Sequence, residues 1–151
     1  MVIETKRLII QTASEAEMRS IIDKQADADL IKAYSEMLKN CLDHPKDWHW
    51  YATWIIEQKN GVHIGDLCFK GLNGDGSVEI GYGITEENQG HGYATEAVEA
   101  VVGWALKQHD VSRVVAETDS ENKKSQRVLE KCGFIPSGII GEEGPQYYKE
   151  S

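Results

Sequence analysis

The stretch Val78-Glu79-Ile80-Gly81-Tyr82-Gly83-Ile84 alternates as a strand does, and Thr85-Glu86-Glu87-Asn88 then leads into Gln89-Gly90-His91-Gly92-Tyr93-Ala94-Thr95. Helical spacing begins there, with Ala94, Ala97, Val98, Val101, Val102 and Ala105 on one face. A strand therefore runs through a short polar loop and two glycines into a helix start. Glycines let main-chain N–H groups crowd around an anion. A helix start adds unpaired N–H donors and the positive end of the macrodipole. Together they form a cradle for a phosphate or diphosphate that needs no basic side chain. Two familiar nucleotide loops fit poorly: Gly90-x-Gly92-x-x-Thr95 lacks the third glycine of a dinucleotide fingerprint, and no lysine follows as a P-loop requires.

The surrounding elements must position this cradle. Glu4 to Gln11 reads as a strand, Ser14 to about Leu38 as two short helices, and Asn40 to Asp47 as loop. Trp48 to Glu57 alternates, with Trp48, Trp50, Ala52, Trp54 and Ile56 on one strand face; the tryptophans read as core rather than as a stacking platform. Asn60-Gly61, Asn73-Gly74 and Asp75-Gly76 mark turns around a strand from His63 to Lys70 and a third from Val78 to Ile84. After the helix, with Glu96 and Glu99 pointing away from its apolar face, come a strand over Arg113–Thr118, a helix over Lys123–Lys131 ended by Gly133, and strands over Phe134–Ile140 and Gln146–Lys149. An antiparallel meander followed by strand-helix-strand-helix-strand is a mixed α/β domain.

The 151 residues suit one domain, 1–151. Sixteen Lys and Arg against 25 Asp and Glu give a net charge of −9, which argues against a nucleic-acid partner and leaves open a basic or amine-bearing substrate. Cys41, Cys68 and Cys132 are odd in number and far apart, so they read as reduced thiols of a cytoplasmic protein. The N-terminal charges imply no secretion signal, and the longest apolar run, Ala100 to Leu106, is too short for a bilayer. Cys41, His44 and His49 match no common zinc spacing, so no metal site is expected. Glu15, Glu17, Asp23, Asp27 and Asp29 read as a solvated helix face, and the His91 side chain as an exposed loop residue.

Three blocks, in order, resemble the GCN5-related N-acetyltransferase superfamily and its ribosomal-protein N-terminal acetyltransferase branch. Gln89-Gly90-His91-Gly92-Tyr93-Ala94 resembles the Q/R-x-x-G-x-G/A signature. Asn122 to Phe134 resembles N-x-x-S…K-x-G-F, and Glu4-Thr5-Lys6-Arg7-Leu8 the opening E-T-x-R-L. The resemblance implies a mostly antiparallel central sheet flanked by helices, with splayed central strands. It implies acetyl-CoA as co-substrate, no metal, and a primary amine as acceptor, on a small molecule, a lysine or a protein N-terminus. Main-chain groups of Tyr82 and Ile84 would hold the pantetheine arm like an added strand. Amides of Gln89, Gly90, His91, Gly92, Tyr93, Ala94 and Thr95 would hold the diphosphate. Asn122 would contact the pantetheine and Ser125 the thioester sulfur or the phosphates, with Lys123, Lys124 and Arg127 as partners for the ribose 3′-phosphate.

Transfer also needs a base, a donor to the carbonyl and a proton for the leaving thiolate. Glu79 is the candidate base, against the alternative of a strand glutamate paired with a lysine. A strand N–H near Gly81 or Tyr82 is the candidate carbonyl donor. Many superfamily members place a tyrosine where this chain has Leu129, so Ser125, Tyr148 and Tyr147 are the substitute acids; one tyrosine of that pair must face the core. The absent tyrosine motivates an alternative, an acyl-CoA-binding sensor or scaffold without turnover. The sequence leaves the acceptor and the oligomeric state, a homodimer included, open.

Overall fold

The computed structural model describes residues 1–151. Eight strands form one sheet in the order β1-β2-β3-β4-β5-β6-β8-β7. They are β1 (Val2–Glu4), β2 (Leu8–Thr12), β3 (Thr53–Gln58), β4 (His63–Leu72), β5 (Ser77–Ile84), β6 (Arg113–Glu117), β7 (Ile135–Ile140) and β8 (Pro145–Glu150). The helices are α1 (Glu15–Lys24), α2 (Ala28–Asp43), α3 (Trp48–Tyr51), α4 (Tyr93–Leu106) and α5 (Lys123–Lys131). Every neighbouring pair is antiparallel except β5 and β6. Those two run parallel and pair only at Ser77–Arg113, Val78–Val114 and Glu79–Val115. Beyond Glu79 they splay, leaving one edge of Ile80–Ile84 without a neighbour. The mixed, mostly antiparallel sheet with splayed centre is therefore present.

Strand alternation sorts the side chains to two faces. Leu8, Ile10, Trp54, Ile56, Leu67, Phe69, Val78 and Ile80 pack against Ala97, Val98, Val101, Val102 and Ala105 of α4 and Leu129 of α5. Trp104 stands among Trp50, Trp54 and Phe69, with ring centroids 5.1, 5.2 and 6.4 Å away. The other face carries α1 and α2, seated through Met18, Leu38 and Cys41. Ser14 and Asp27 cap these two helices.

Four segments depart from the sequence reading. The expected opening strand is a hairpin: Thr5 to Arg7 turn the chain, closed by Thr5 N–H to the Leu8 carbonyl at 2.9 Å. The second early helix continues to Asp43, because Leu38 and Cys41 extend its buried face while its polar residues point outward. Residues 45–47 then form a short 3-10 turn opened by Pro45. Trp48 to Tyr51 are α3 rather than strand: Ala52 N–H closes a helical turn on the Trp48 carbonyl at 2.9 Å, and β3 begins only at Thr53. Alternation in so short a run is equally readable as a turn, in which i and i+2 lie on nearly opposite sides. Trp50 accordingly enters the main core with Trp54, as expected of both, while Trp48 joins the cluster beneath α1 and α2. Glu96 stands outside the apolar core, as expected, and Thr5 and Arg7 hold it there.

Candidate active site

The splay opens a cleft of about 460 Å³. Its walls are Tyr82–Ile84 of β5, Asn88–Gly90, Gly92–Thr95 at the start of α4, and Asn122, Lys124, Ser125, Arg127, Val128 and Lys131. No acidic residue lines it, although the chain carries −9 overall. Lys124, Arg127 and Lys131 lie at i, i+3 and i+7 on α5, one helical stripe. Of the cations expected here, Lys124 and Arg127 line the cleft and Lys123 does not. Lys131 was missed, though the same i+7 spacing from Lys124 would have found it.

The unpaired edge follows from register. Thr85 N–H donates to the Ile64 carbonyl at 2.9 Å. The same register makes Gly83 opposite Asp66 and Gly81 opposite Cys68 the hydrogen-bonded pairs with β4. Tyr82 and Ile84 therefore turn their main-chain groups away from β4, toward the splay. The Ile84 carbonyl already accepts from Gln89 Nε2 at 3.0 Å, which pins the loop to the strand. Of the two carbonyl donors considered, only the Tyr82 N–H faces the cleft; that of Gly81 faces β4.

At the mouth, Gly90 and Gly92 adopt φ of +81° and +79°. That left-handed conformation is unfavourable with a Cβ. Gly92 caps α4 without a side-chain hydrogen bond, and the N–H groups of Gly90, His91 and Gly92 have no hydrogen-bond partner within the chain. Open donors and a bare helix start suit an anion. His91 is exposed, and its side chain leans toward Tyr93 at 5.8 Å rather than into the cleft.

A brace absent from the sequence reading holds this loop. Arg7 Nη1 donates to the His91 carbonyl at 2.9 Å and Arg7 Nε to Glu96 at 2.7 Å, and the guanidinium lies 4.4 Å over the Tyr93 ring. The Arg7 N–H at 3.0 Å and the Thr5 hydroxyl also donate to Glu96. Partial burial pushes the Glu96 carboxyl up, but the bonds from Thr5 and Arg7 outweigh it, so the group sits below the usual glutamate range. The hairpin turn thus clamps the first turn of α4.

Asn122 caps α5, its Oδ1 accepting from Ser125 N–H at 3.1 Å, and the residue lines the cleft. Ser125 Oγ lies 2.8 Å from the Tyr82 hydroxyl, a strap across the splay. Burial raises Tyr82 above the usual tyrosine value, so it stands as the neutral phenol at neutral pH. Leu129 is fully buried in the core. Glu79 lies on the opposite face of β5 from Tyr82, at the last paired position before the splay, with Lys70 Nζ 2.7 Å away. Tyr147 is the core member of its pair. Tyr148, opposite Val115, shares the Glu79 face and lies beneath the Arg113 guanidinium at 4.8 Å. Ser125 is thus inside the cleft, whereas Glu79 and Tyr148 are on the other side of the sheet. No cluster of His, Cys, Asp and Glu could hold a metal ion, and no helix is long and apolar enough to cross a membrane.

A family profile, Acetyltransferase (GNAT) domain, matches residues 4–135. The chain is 37% identical over 87 residues to the uncharacterized N-acetyltransferase YjdG of Bacillus subtilis, covering 56% of this chain and 52% of YjdG. It is 26% identical over 146 residues to YnaD of the same organism, covering 93% and 86%. The solved structure of RimL, a ribosomal L7/L12 alpha-N-protein acetyltransferase in complex with coenzyme A, superposes with a TM-score of 0.77 at 18% identity, over 99% of this chain and 98% of that one. At that identity the likeness shows the fold; the profile spanning most of the chain shows the family. With a splayed sheet, an unpaired β5 edge and a glycine cradle at its mouth, the chain belongs to the GNAT acetyltransferase family.

Proposed function

We propose that residues 1–151 act as one acetyltransferase domain that moves an acetyl group from acetyl-CoA to a primary amine, with both substrates bound together. The observation that carries this is the cleft itself. An edge with strand-type donors and acceptors leads to unpaired amides over Gly90–Gly92, flanked by three cations and no acid. An arm with two amides and a diphosphate head fits that order of groups. Acetyl-CoA supplies the activated acyl group; the remainder is work for this chain.

Tyr82 and Ile84 bind the arm along β5. Amides of Gln89 to Thr95 hold the diphosphate. Asn122 offers its NH₂ to the arm, and Lys124, Arg127 and Lys131 meet the outer phosphate. The Tyr82 N–H is aimed where the acyl oxygen gathers charge. Glu79, at the apex of the splay and 2.7 Å from Lys70 Nζ, takes the amine proton directly or through water. Ser125 is the nearer source of a proton for the leaving thiolate, since it alone of the candidate acids lines the cleft; Tyr148 stands on the amine side. Orientation of two bound reactants supplies much of the rate.

One observation favours a second reading. Leu129 replaces the expected phenol and is buried, which would suit a sensor that binds acyl-CoA without turnover. Purified protein, acetyl-CoA and a panel of amines, with a thiol-detecting dye, separate the two. Acceptor-dependent thiol release that Glu79→Gln lowers at unchanged acetyl-CoA affinity supports transfer. Tight binding with no release supports the sensor, and a pH–rate profile identical in Glu79→Gln removes Glu79 from the mechanism.

A further inference from the structure

The side of the sheet opposite the cradle carries a second polar feature. Asp66 of β4 is directly opposite Gly83 of β5, a hydrogen-bonded pair with Cα atoms about 5.5 Å apart. Its carboxylate stands on the α1/α2 side, partly buried, and accepts from the Tyr34 hydroxyl of α2 at 3.1 Å. That is its one side-chain hydrogen bond, and it has no ion pair. Beside it, Gly83 offers no side chain, and a Cβ there would meet nothing within 4 Å. Gly81 carries the glycine floor toward Glu79, with Cys68 Sγ beside it, 3.8 Å from where a Cβ would stand. Burial raises the carboxyl, outweighing the Tyr34 bond, so a cationic partner would repay ionising it. This half-buried carboxylate at the side of a glycine floor has one side-chain hydrogen bond and no ion pair, so oxygen lone pairs are left for a further donor.

Distance decides its use. An arm laid along the free edge of β5 lies about 4.8 Å beyond that strand, and Asp66 lies about as far on its other side. Asp66 is therefore about 10 Å from an acyl group near Tyr82, too far to touch the nitrogen being acetylated. We propose that Asp66, positioned by Tyr34, anchors a second ammonium group of the acceptor, so that the preferred acceptors are alkyl amines carrying two cationic nitrogens. The acceptor then enters from the α1/α2 side and crosses the floor of Gly83 and Gly81 toward Glu79. This rests on the acetyltransfer reading only for the position of the acyl arm.

The test compares 1,4-diaminobutane with butylamine, in wild type, Asp66→Asn and Tyr34→Phe. Thiol release should show a kcat/KM for the diamine at least tenfold above that for the monoamine in the wild type. Asp66→Asn should erase that ratio while leaving the monoamine and the KM for acetyl-CoA unchanged, and Tyr34→Phe should reduce it about threefold. NMR titration of both amines into the protein–CoA complex gives the same comparison without turnover. No thiol release, with diamine binding that Asp66→Asn abolishes, sinks the transfer reading and keeps the anchor. Equal treatment of the two amines by the wild type, or a preference that survives in Asp66→Asn, overturns it.

Discussion

Glu96→Gln tests whether the hairpin clamp sets the cradle. The carboxylate receives the Thr5 hydroxyl, the Arg7 N–H at 3.0 Å and Arg7 Nε at 2.7 Å, with its side chain 19% exposed and that of Arg7 42%. Hydrogen bonds to a charged group contribute about 1.5–3 kcal/mol and neutral ones about 1 kcal/mol. Glutamine keeps one acceptor oxygen, and the exposure of Arg7 screens the charge. The expected loss is therefore about 1–2 kcal/mol at neutral pH, a Tm lower by about 3–6 °C. The pH dependence has a fixed sign. The folded carboxyl is held below its ordinary 4.5, so its contribution is fully present above that value and is lost as pH falls through the lower folded value. Urea unfolding of wild type and Glu96→Gln should differ at neutral pH and converge in acid. The KM for acetyl-CoA should rise several-fold, because Arg7 also holds the His91 carbonyl. A stability gap that persists unchanged in acid, or an unchanged acetyl-CoA KM, would refute the clamp.

Gly92→Val places a branched side chain at φ +79° and should abolish acetyl-CoA binding by calorimetry; retained affinity would contradict the cradle. Replacing Lys124, Arg127 and Lys131 together by Gln should weaken acetyl-CoA about tenfold and flatten the salt dependence of its Kd, measured from low to high ionic strength. Trp54→Ala removes a fully buried ring from the core beneath the cleft and should cost about 3–5 kcal/mol in urea unfolding.

Much of this site is local and therefore legible. A strand, two glycines and a helix start are contiguous in the chain, and each residue type has one dominant physical use there. The period of the apolar residues in α4 and the turn pairs around β4 and β5 likewise specify elements without reference to anything distant. Short ambiguous runs are different. Trp48 to Tyr51 alternate, but α2 packing and Pro45 make them a turn, because a local pattern four residues long cannot outweigh burial of Trp48 and Trp50 on opposite sides.

Local sequence determined that a loop with two glycines stands between a strand and a helix start, and that the chain alternates strands and helices around it. Tertiary structure alone decided where β5 and β6 part, that Thr5 and Arg7 grip Glu96 some ninety residues away, that Glu79 meets Lys70, and that Ser125 and Tyr148 lie on opposite sides of the sheet. The reason is physical: backbone preference and apolar period act over a few neighbours, whereas ion pairs, straps and open sheet edges depend on which distant segments packing brings together.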